Sequence, residues 1–454
     1  EIKKKLSKEK FFYLGNGRFT EEKKDKLWSL GLSKKVLELQ KKQYRIYPQK
    51  NLFSHVLGQT DDENFGISGV EMFFDKELKD PKFVNSPLTL TLDTNLQYLI
   101  REELINAETH FNTIGAAALL MDVKNGEILS LISLPDYDLN NRLSISEDKF
   151  TNKITKGVYE LGSVFKTFTV AAGLENKKIK SNTIFKNLER KLNCGKHTVS
   201  EHDLLPKNLS VEQILIRSSN IGSVKIVQKV GTNKYRKFLD KLELLEKINF
   251  ELEEVTTPLN YRWGKCELLT ASYGQGITTT LLQLAKAYAI LGNGGYRIEP
   301  HILKKVTKTN KKLKKIVSTE TSDEINSILR KVVSEKEGTA NFANVEGYEV
   351  SGKTGTAYKL VNGAYDKRKK RNTFVSLFPS SEPKYVLLIM LDEPKPAPEF
   401  VYDMPPTKKF PNGYKYSGEI RNTSGWNTVV VAGKIIEKIG PILAINNLQA
   451  STNF

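Results

Sequence analysis

The sequence predicts an α+β fold in which helices pack on an antiparallel β-sheet. The first observation is a pair of apolar segments around Asn125-Gly126, a dipeptide typical of a tight hairpin turn. The second is a group of three strand patterns late in the chain, followed by an amphipathic helix. Between the two groups, apolar residues recur at helical spacing. Strands joined by hairpin turns are antiparallel, and helices are needed to cover their apolar faces.

The elements can be justified in chain order. The first 85 residues are mostly polar, and their short helical patterns lie at 21–30 and 34–43. The next predictions are a strand over 88–92 and a helix over 93–109, which Asp93 or Thr94 would cap. The remaining predictions are hairpin strands 116–123 and 127–133, a strand around Lys353, strands 372–378 and 384–391, and a helix over 429–439. We expect the Lys353 strand to join the sheet at its edge.

Composition indicates a large protein with an ordinary core. The 454 residues should form two or more domains, and 39% of them are hydrophobic. The net charge of +18 would suit a partner that is a nucleic acid or an anionic membrane surface. Lysines are scattered, however, and no nucleic-acid motif is present, so the charge favours a solvated surface without nucleic acid. The basic run 367–371 is predicted to be a solvated, mobile loop.

The chain gives few signals about membranes or redox state. It has no apolar run of about 18 residues, so no membrane span is predicted. It begins at Glu1 without methionine, and we expect that an upstream segment has been removed. Its two cysteines, Cys194 and Cys266, form neither a disulfide framework nor a metal pattern. They are either free or joined in one bridge.

Three short motifs carry the chemistry: Ser163-x-x-Lys166, Ser218-Ser219-Asn220 and a Lys-Thr-Gly-Thr segment that begins at Lys353. The first is weak alone, because the same spacing occurs at three other serines, Ser7, Ser146 and Ser381. Only Ser163 is followed by an apolar helical pattern, which predicts that it lies in the first turn of a buried helix. A purely structural role, with Ser163 capping the helix beside a solvated Lys166, does not explain why all three motifs occur in this order.

The residue types fit serine acylation. A serine hydroxyl needs a neighbouring base to become a nucleophile, and none of the chain's five histidines lies in a motif. Lys166 is the predicted base, and it must be neutral to act. Burial and a second cation, Lys353, should both lower its pKa. Ser218 can relay a proton to a leaving amine, and the Asn220 amide can both donate to and accept from a substrate backbone.

The Lys353 segment is predicted to be a strand. Glycine in a strand often marks the close approach of another backbone, so Gly355 would let a substrate lie alongside as an added strand. A simple glycine bulge would explain Gly355 but not the Lys-Thr pair before it. The backbone N–H groups of Ser163 and Thr356 would form the oxyanion hole.

The three ordered motifs resemble those of penicillin-binding proteins and serine β-lactamases. Further segments resemble class B penicillin-binding proteins, peptidoglycan D,D-transpeptidases, and are most similar to the division-specific FtsI type. These segments are Arg45–Pro48, Gly66–Glu71, Asp122–Ile128, Pro135-x-Tyr137, Asn140-Asn141, Glu201–Asp203, Leu209–Val211, Arg217–Gly222, Gly274–Ile277 and Gln283–Ala285. The resemblance implies the transpeptidase fold, with a five-stranded antiparallel sheet flanked by helices. Its domains would be an elongated pedestal over 1–85, a transpeptidase domain over 86–445 and a tail over 446–454.

The resemblance also implies a reaction. Ser163 would attack the penultimate D-alanine carbonyl of a stem peptide, and the amine of a second stem would accept the acyl group. Lys353, Thr354 and Thr356 would hold the terminal carboxylate, and β-lactams would trap the serine. No metal or organic cofactor is implied. The implied partners are peptidoglycan, a polytopic membrane glycosyltransferase and divisome proteins, and the implied location is the periplasm, with an N-terminal anchor in the inner membrane.

Several alternatives stay open at the level of sequence. An elongation-type transpeptidase would share every motif. A β-lactamase would also need a carboxylate that activates water, for which Glu335 or Glu337 is available, although the length and the pedestal segments argue against it. A penicillin sensor would be acylated without turnover on cell wall, and a non-enzymatic basic binding protein would share only the charge.

Overall fold

The computed structural model describes residues 21–31, 44–83, 85–141, 146–195, 197–252, 255–259, 262–304, 313–404, 406, 410–418 and 422–452. The chain divides into two compact units, Glu1–Arg45 and Ile46–Phe454. In the first unit, the predicted helix near residue 21 is confirmed as α1, Glu21–Ser29, a polar helix without a buried residue. The predicted helix over 34–43 lies outside the described residues.

The helices of the second unit differ greatly in length. In chain order they are α2 Ser54–Leu57, α3 Gly69–Phe73, α4 Asp75–Lys79, α5 Thr94–Phe111, α6 Glu147–Phe150, α7 Lys166–Glu175, α8 Val211–Ile216, α9 Asn220–Val230, α10 Thr232–Lys241, α11 Lys265–Ala271, α12 Leu281–Gly292, α13 Thr319–Ser334 and α14 Thr428–Thr452. Short 3-10 helices are Pro81–Phe83, Gly162–Phe165, Asn341–Ala343 and Ser424–Trp426. No helix of the described part of the chain is both long and apolar enough to cross a bilayer.

In the described part of the chain, the strands form one large sheet and three small ribbons. In chain order they are β1 Gly115–Asp122, β2 Ile128–Leu134, β3 Ile184–Phe185, β4 Lys191–Cys194, β5 His197–Ser200, β6 Leu209–Ser210, β7 Ser351–Val361, β8 Ala364–Phe378, β9 Tyr385–Asp392, β10 Ala397–Met404 and β11 Tyr414–Gly418. The large sheet has five strands in the order β2-β1-β9-β8-β7, and every pairing is antiparallel. The predicted α+β class is therefore confirmed, and β7, which contains Lys353, lies at the sheet edge as expected.

Helices cover both faces of this sheet. Asn372 of β8 donates to Asn427 at the start of α14, while Leu377 of the same strand lies against Gly292 at the end of α12. Residues an odd number apart in a strand point to opposite faces, so α14 and α12 cover opposite faces. Burial on both faces explains why β9 is apolar along most of its length and buried throughout.

Local signals predicted most of these elements. Asp93 caps α5, where its carboxylate accepts from the N–H groups of Asn95 and Leu96. The early hairpin is confirmed as β1 and β2. The predicted strand over 88–92 is wrong, because this segment forms only an isolated bridge, between Leu90 and Leu303. The final helix is longer than predicted and continues to Thr452.

Within the larger unit, segments that the family resemblance had singled out pack against one another. The Tyr47 N–H donates to Asn140 Oδ1 at 3.0 Å, and Asn140 Nδ2 donates to the Tyr47 carbonyl at 2.9 Å. The Tyr47 hydroxyl donates to Glu71 at 3.3 Å, and Val56 and Val70 belong to the main core. Three distant segments therefore meet here. The predicted domain boundary at residue 85 stays a prediction.

Candidate active site

The turn that carries Ser163 is built by close backbone packing. Ser163 lies in the 3-10 helix Gly162–Phe165, which runs directly into α7. Gly162 has φ +60°, and a Cβ on it would lie 2.5 Å from the carbonyl oxygen of Thr356 in β7. The Ser163 side chain is partly exposed, and its hydroxyl has no hydrogen-bond partner among the described residues. Ser163 is therefore available to a ligand.

The three predicted motifs meet at the hydroxyl of Ser218. Lys166 Nζ lies 3.1 Å from Ser218 Oγ and also donates to the Ser218 carbonyl. Lys353 Nζ lies 3.0 Å from the same Oγ atom. Both lysines are fully buried. One hydroxyl thus joins two amines that are far apart in sequence.

Burial sets the protonation of this pair. Removal from water lowers the pKa of Lys166 to about 7, against the opposing effect of the carboxylates of Glu201 and Asp203. Burial, together with the charge of Lys166, lowers the pKa of Lys353 well below its usual value. The predicted direction for Lys166 is confirmed. The main cause of the lowered Lys166 pKa is burial, however, and the repulsion between the two charged lysines lowers the pKa of Lys353 instead.

The backbone of Ser218 is unusual. Its φ is +58°, in the left-handed region that favours glycine. Ser218 directly follows α8 and its C-cap Arg217, where the Ser219 N–H bonds to the Ile214 carbonyl and the Ser218 N–H to that of Leu215. This is the Schellman arrangement, which normally places glycine at the Ser218 position. Compared with glycine, serine at this position supplies a hydroxyl to the site, but its backbone is strained.

Asn220 and its neighbours are held by Glu201, whose role the sequence did not reveal. The Glu201 carboxylate accepts from Ser219 Oγ at 2.6 Å and from the N–H groups of Asn220 and Ile221 at 2.8 and 2.9 Å. It therefore lies at the N-terminus of α9, where negative charge is favourable. Asn220 Nδ2 donates to the Ser200 carbonyl, and its Oδ1 is buried without a partner in the described part of the chain. A helix-capping carboxylate from a distant hairpin leaves no local sequence signal.

The Lys353 strand docks against the turn of the nucleophile. A Cβ on Gly355 would lie 2.3 Å from the carbonyl oxygen of Leu161. Gly355 was expected to leave room for a substrate strand, but the backbone that approaches it is the protein's own turn next to Ser163. The glycine thus sets the distance between β7 and the nucleophile.

The two threonines of this strand have partners that the sequence did not indicate. Thr354 Oγ1 lies 2.9 Å from Thr339 Oγ1, on the loop after α13, and 3.3 Å from Lys353 Nζ. Thr356 Oγ1 accepts from the Ser424 N–H at 3.2 Å. Both contacts come from segments with no motif, so only the fold reveals them.

A disulfide supports the same region. Cys194 at the end of β4 is bonded to Cys266 in α11, with 5.5 Å between their Cα atoms. The bridge ties the hairpin that leads to Glu201 to the helix that leads to Gly274. A Cβ on Gly274 would lie 2.1 Å from the Gly162 carbonyl oxygen, so this segment packs directly behind the nucleophile turn. The two cysteines are thus paired.

The basic run 367–371 is not a loop, which corrects the prediction. It is part of β8, in which Lys370 and Arg371 pair with β7 and Arg371 also pairs with β9, while a shift of register between Asp366 and Lys370 places residues 367–369 in a bulge. Three of its charged side chains have partners. Arg368 pairs with Asp366 of the same strand, Lys370 donates to the Asn422 carbonyl at 3.1 Å, and Arg371 lies over the Tyr159 ring. Of the other serines with this spacing, Ser146 directly precedes α6 and Ser381 is in the β8–β9 turn, while Ser7 is outside the described residues.

The chain matches known proteins over most of its length. The penicillin binding protein transpeptidase domain matches residues 116–404. A probable peptidoglycan D,D-transpeptidase FtsI of Caulobacter vibrioides is 31% identical over 439 residues, covering 94% of this chain and 71% of the relative. Stage V sporulation protein D of Bacillus subtilis is 30% identical over 88% of this chain and 67% of its own length. The solved penicillin-binding protein 3 of Mycobacterium tuberculosis has the same fold, with a TM-score of 0.75 at 24% identity over 89% of this chain and 91% of that one.

The five-stranded sheet, the serine turn and the paired lysines define the transpeptidase class of penicillin-binding proteins, and the chain belongs to that family. Within it, the chain is a class B protein of the FtsI type. The resemblance predicted from the motifs is thereby confirmed.

Proposed function

We propose that this protein is a serine-type peptidoglycan D,D-transpeptidase that cross-links stem peptides during septal cell-wall synthesis. The observation that carries the proposal is the position of Ser218 Oγ, 3.1 Å from Lys166 Nζ and 3.0 Å from Lys353 Nζ. This arrangement joins a base and a second amine through a hydroxyl that can pass a proton. Acyl transfer at Ser163 needs these parts and no histidine.

Acylation begins when Lys166 in its neutral form takes the proton of the Ser163 hydroxyl. The oxygen then forms a bond to the penultimate D-alanine carbonyl carbon of the donor peptide. The negative oxygen of the tetrahedral intermediate is stabilised by the N–H groups of Ser163 and Thr356. In support, the Thr356 nitrogen lies 3.3 Å from the position that a Cβ on Gly162 would occupy, next to Ser163. The C–N bond breaks, and the leaving amine takes its proton through Ser218.

Transfer reverses these steps with a different amine. The side-chain amine of meso-diaminopimelate in a second stem attacks the ester carbonyl carbon and gives up a proton to the lysine pair. The bond to Ser163 breaks, and the serine oxygen regains a proton. One amide is lost and one is formed, so no oxidant, metal or nucleotide is required.

The remaining motif residues bind the donor. The Asn220 amide contacts the peptide backbone, and its Oδ1, which has no partner among the described residues, is suited to accept from a substrate N–H. Lys353, Thr354 and Thr356 hold the terminal carboxylate, while Gly355 keeps β7 close to the Ser163 turn. β-Lactams carry a carboxylate and a strained amide in similar positions, so they acylate Ser163.

The cellular setting is proposed from the relatives. The relative with the highest identity quoted above is the probable FtsI of Caulobacter vibrioides, which favours a division role in the periplasm with an inner-membrane tether. Its partners would be a polytopic membrane glycosyltransferase and divisome proteins. An elongation role is the alternative. Complementation decides between them: the gene should rescue cells depleted of their division transpeptidase and not cells depleted of the elongation enzyme.

A β-lactamase is the second candidate. For this activity, Glu335 or Glu337 would have to activate the water that hydrolyses the acyl-enzyme. Glu337 forms an ion pair with Arg217, and Glu335 is exposed at the end of α13. Neither contacts Ser163, so we expect hydrolysis of the acyl-enzyme to be slow. The test is incubation with fluorescent penicillin followed by denaturing electrophoresis. A stable label supports a transpeptidase or a penicillin sensor, loss within seconds supports a β-lactamase, and no label supports a non-enzymatic binding protein.

A further inference from the structure

The β7–β8 hairpin extends beyond the five-stranded sheet. Strand β9 pairs with β8 only over 371–378, so the hairpin segment 359–370 has no third strand beside it in the described part of the chain. We call this segment the arm. At its base, Lys359 forms ion pairs with Asp392 and Glu393 at the end of β9. The direction of the arm beyond its base therefore depends on contacts nearer its tip.

Two contacts join this hairpin to the residues that lead into the nucleophile turn. The Tyr365 hydroxyl, near the tip of the arm, donates to the Glu160 carboxylate, with 3.0 Å to one oxygen and 3.1 Å to the other. The Arg371 guanidinium lies 4.2 Å from the centre of the Tyr159 ring. Tyr159 and Glu160 stand four and three residues before Ser163. The hairpin thus contacts consecutive residues just ahead of the nucleophile.

Glu160 also contacts the segment behind the turn. Its carboxylate accepts from the Gly276 N–H. The same segment accepts from the turn itself, because the Gly162 N–H donates to the Gly274 carbonyl at 3.2 Å. One carboxylate therefore links the arm to a segment that supports the turn of Ser163.

The Tyr365–Glu160 hydrogen bond joins the two segments that form the proposed oxyanion hole. Thr356, which supplies one N–H, is on the same hairpin as Tyr365, and Ser163, which supplies the other, follows Glu160 closely. Donors to an oxyanion act only at the correct distance from the oxygen. A displacement of about 1 Å at a remote support can slow a reaction about 100-fold. A contact outside the site can therefore influence acylation without meeting the substrate.

We propose that Tyr365 and Glu160 are positioning residues for acylation. Their hydrogen bond holds the arm against the segment before Ser163, and it thereby sets the distance between the two N–H donors of the oxyanion hole. The inference rests on the proposed acyl-transfer function. Because the oxyanion forms only in the transition state, the contact should affect the rate of acylation more than the binding of the drug.

The test is stopped-flow acylation by benzylpenicillin over a range of concentrations. This separates the dissociation constant of the non-covalent complex from the first-order acylation rate constant. Tyr365→Phe removes only the hydroxyl, and we expect it to lower the rate constant roughly three- to tenfold while the dissociation constant stays within about twofold. The Tm should hardly change, since Tyr365 is 38% exposed. Glu160→Gln keeps an acceptor oxygen and should retain most of the rate, whereas Glu160→Ala should not.

A double-mutant cycle distinguishes one shared contact from two separate structural effects. Tyr365→Phe should cause no further loss in the Glu160→Ala variant, because both changes break the same hydrogen bond. Tyr296→Phe is the matched control. Tyr296 is also 38% exposed, and its hydroxyl has no hydrogen-bond partner among the described residues, so the rate should be unchanged.

Several results would overturn the inference. These are a Tyr365→Phe variant that reacts like the parent chain, a loss confined to the dissociation constant, losses that multiply in the double variant, and a Glu160→Gln variant as slow as Glu160→Ala. Failure of the parent chain to react with benzylpenicillin would instead overturn the proposed function.

Discussion

At the scale of the residue, Ser218 explains how the site is assembled. It adopts a backbone conformation that favours glycine, and its hydroxyl contacts both Lys166 and Lys353. The left-handed backbone conformation after α8 directs the Ser218 hydroxyl toward the two lysines. The conformation that strains the backbone is therefore the one that places the functional hydroxyl. The neighbouring Lys166 has a pKa close to neutrality because it is buried.

The first prediction concerns strain at Ser218. Both Ser218→Gly and Ser218→Ala remove the relay hydroxyl and should slow acylation strongly. Glycine relieves the left-handed strain whereas alanine retains it, so Ser218→Gly should be more stable than Ser218→Ala by about 1 kcal/mol. Denaturant unfolding of both variants measures this difference. Equal stabilities would mean that the φ of +58° is not maintained in solution.

The second prediction concerns the pH dependence of acylation. Lys166 acts as a base only when neutral, and burial lowers its pKa to about 7. The rate of acylation by penicillin should therefore rise as pH increases toward about 7 and level off above it. Stopped-flow measurements between pH 5 and 9 give the profile. A rate that keeps rising to pH 9 would show that the lysine has its ordinary pKa.

At the scale of the element, three segments hold the motifs in place. The hairpin β4–β5 brings Glu201 to the start of α9, and the segment after α11 supports the turn of Ser163. Strand β7 docks on that turn through Gly355. Each support comes from a segment remote in sequence, so changes in these elements should alter the chemistry without removing a motif side chain.

Glu201 gives the third prediction. Its negative charge raises the pKa of Lys166, in opposition to burial. Removal of this charge in Glu201→Gln should lower that pKa further, so the midpoint of the acylation profile should move to lower pH. Glu212→Gln is the matched control, since Glu212 pairs with Lys331 instead. A midpoint that stays in place while the rate falls would assign Glu201 a structural role alone.

Gly355 gives the fourth prediction. An alanine Cβ at this position would lie 2.3 Å from the Leu161 carbonyl oxygen, closer than real Cβ atoms approach. The Cβ and the carbonyl oxygen are each bonded directly to the backbone, so no side-chain rotation can separate them. Strand β7 must therefore move away from the Ser163 turn. Gly355→Ala should slow acylation at least tenfold and lower the unfolding free energy by about 1–3 kcal/mol. Gly363→Ala, at a turn of the same hairpin with no atom within 4 Å of its Cβ, should leave acylation unchanged.

At the scale of the whole molecule, the sequence predicted what depends on local pattern and on motif order. Periodicity and the Asn125-Gly126 turn predicted the sheet strands and α5, and the motif order predicted the meeting of Lys166, Ser218 and Lys353. The role of Glu201 and the contact between Thr339 and Thr354 depend on packing between distant segments. The run 367–371 was misread because its charges resemble a solvated loop, whereas the run lies within β8 and its last two residues pair with β7.

The central claim is that Ser163, activated by Lys166, is the acylated residue. Intact-mass analysis and peptide mapping after incubation with penicillin test it most directly. The account predicts one adduct per chain, located on Ser163, absent in Ser163→Ala and in Lys166→Ala, and lost only over many minutes after excess drug is removed. An adduct on Ser146 or Ser381, or undiminished labelling of Ser163→Ala, would contradict it.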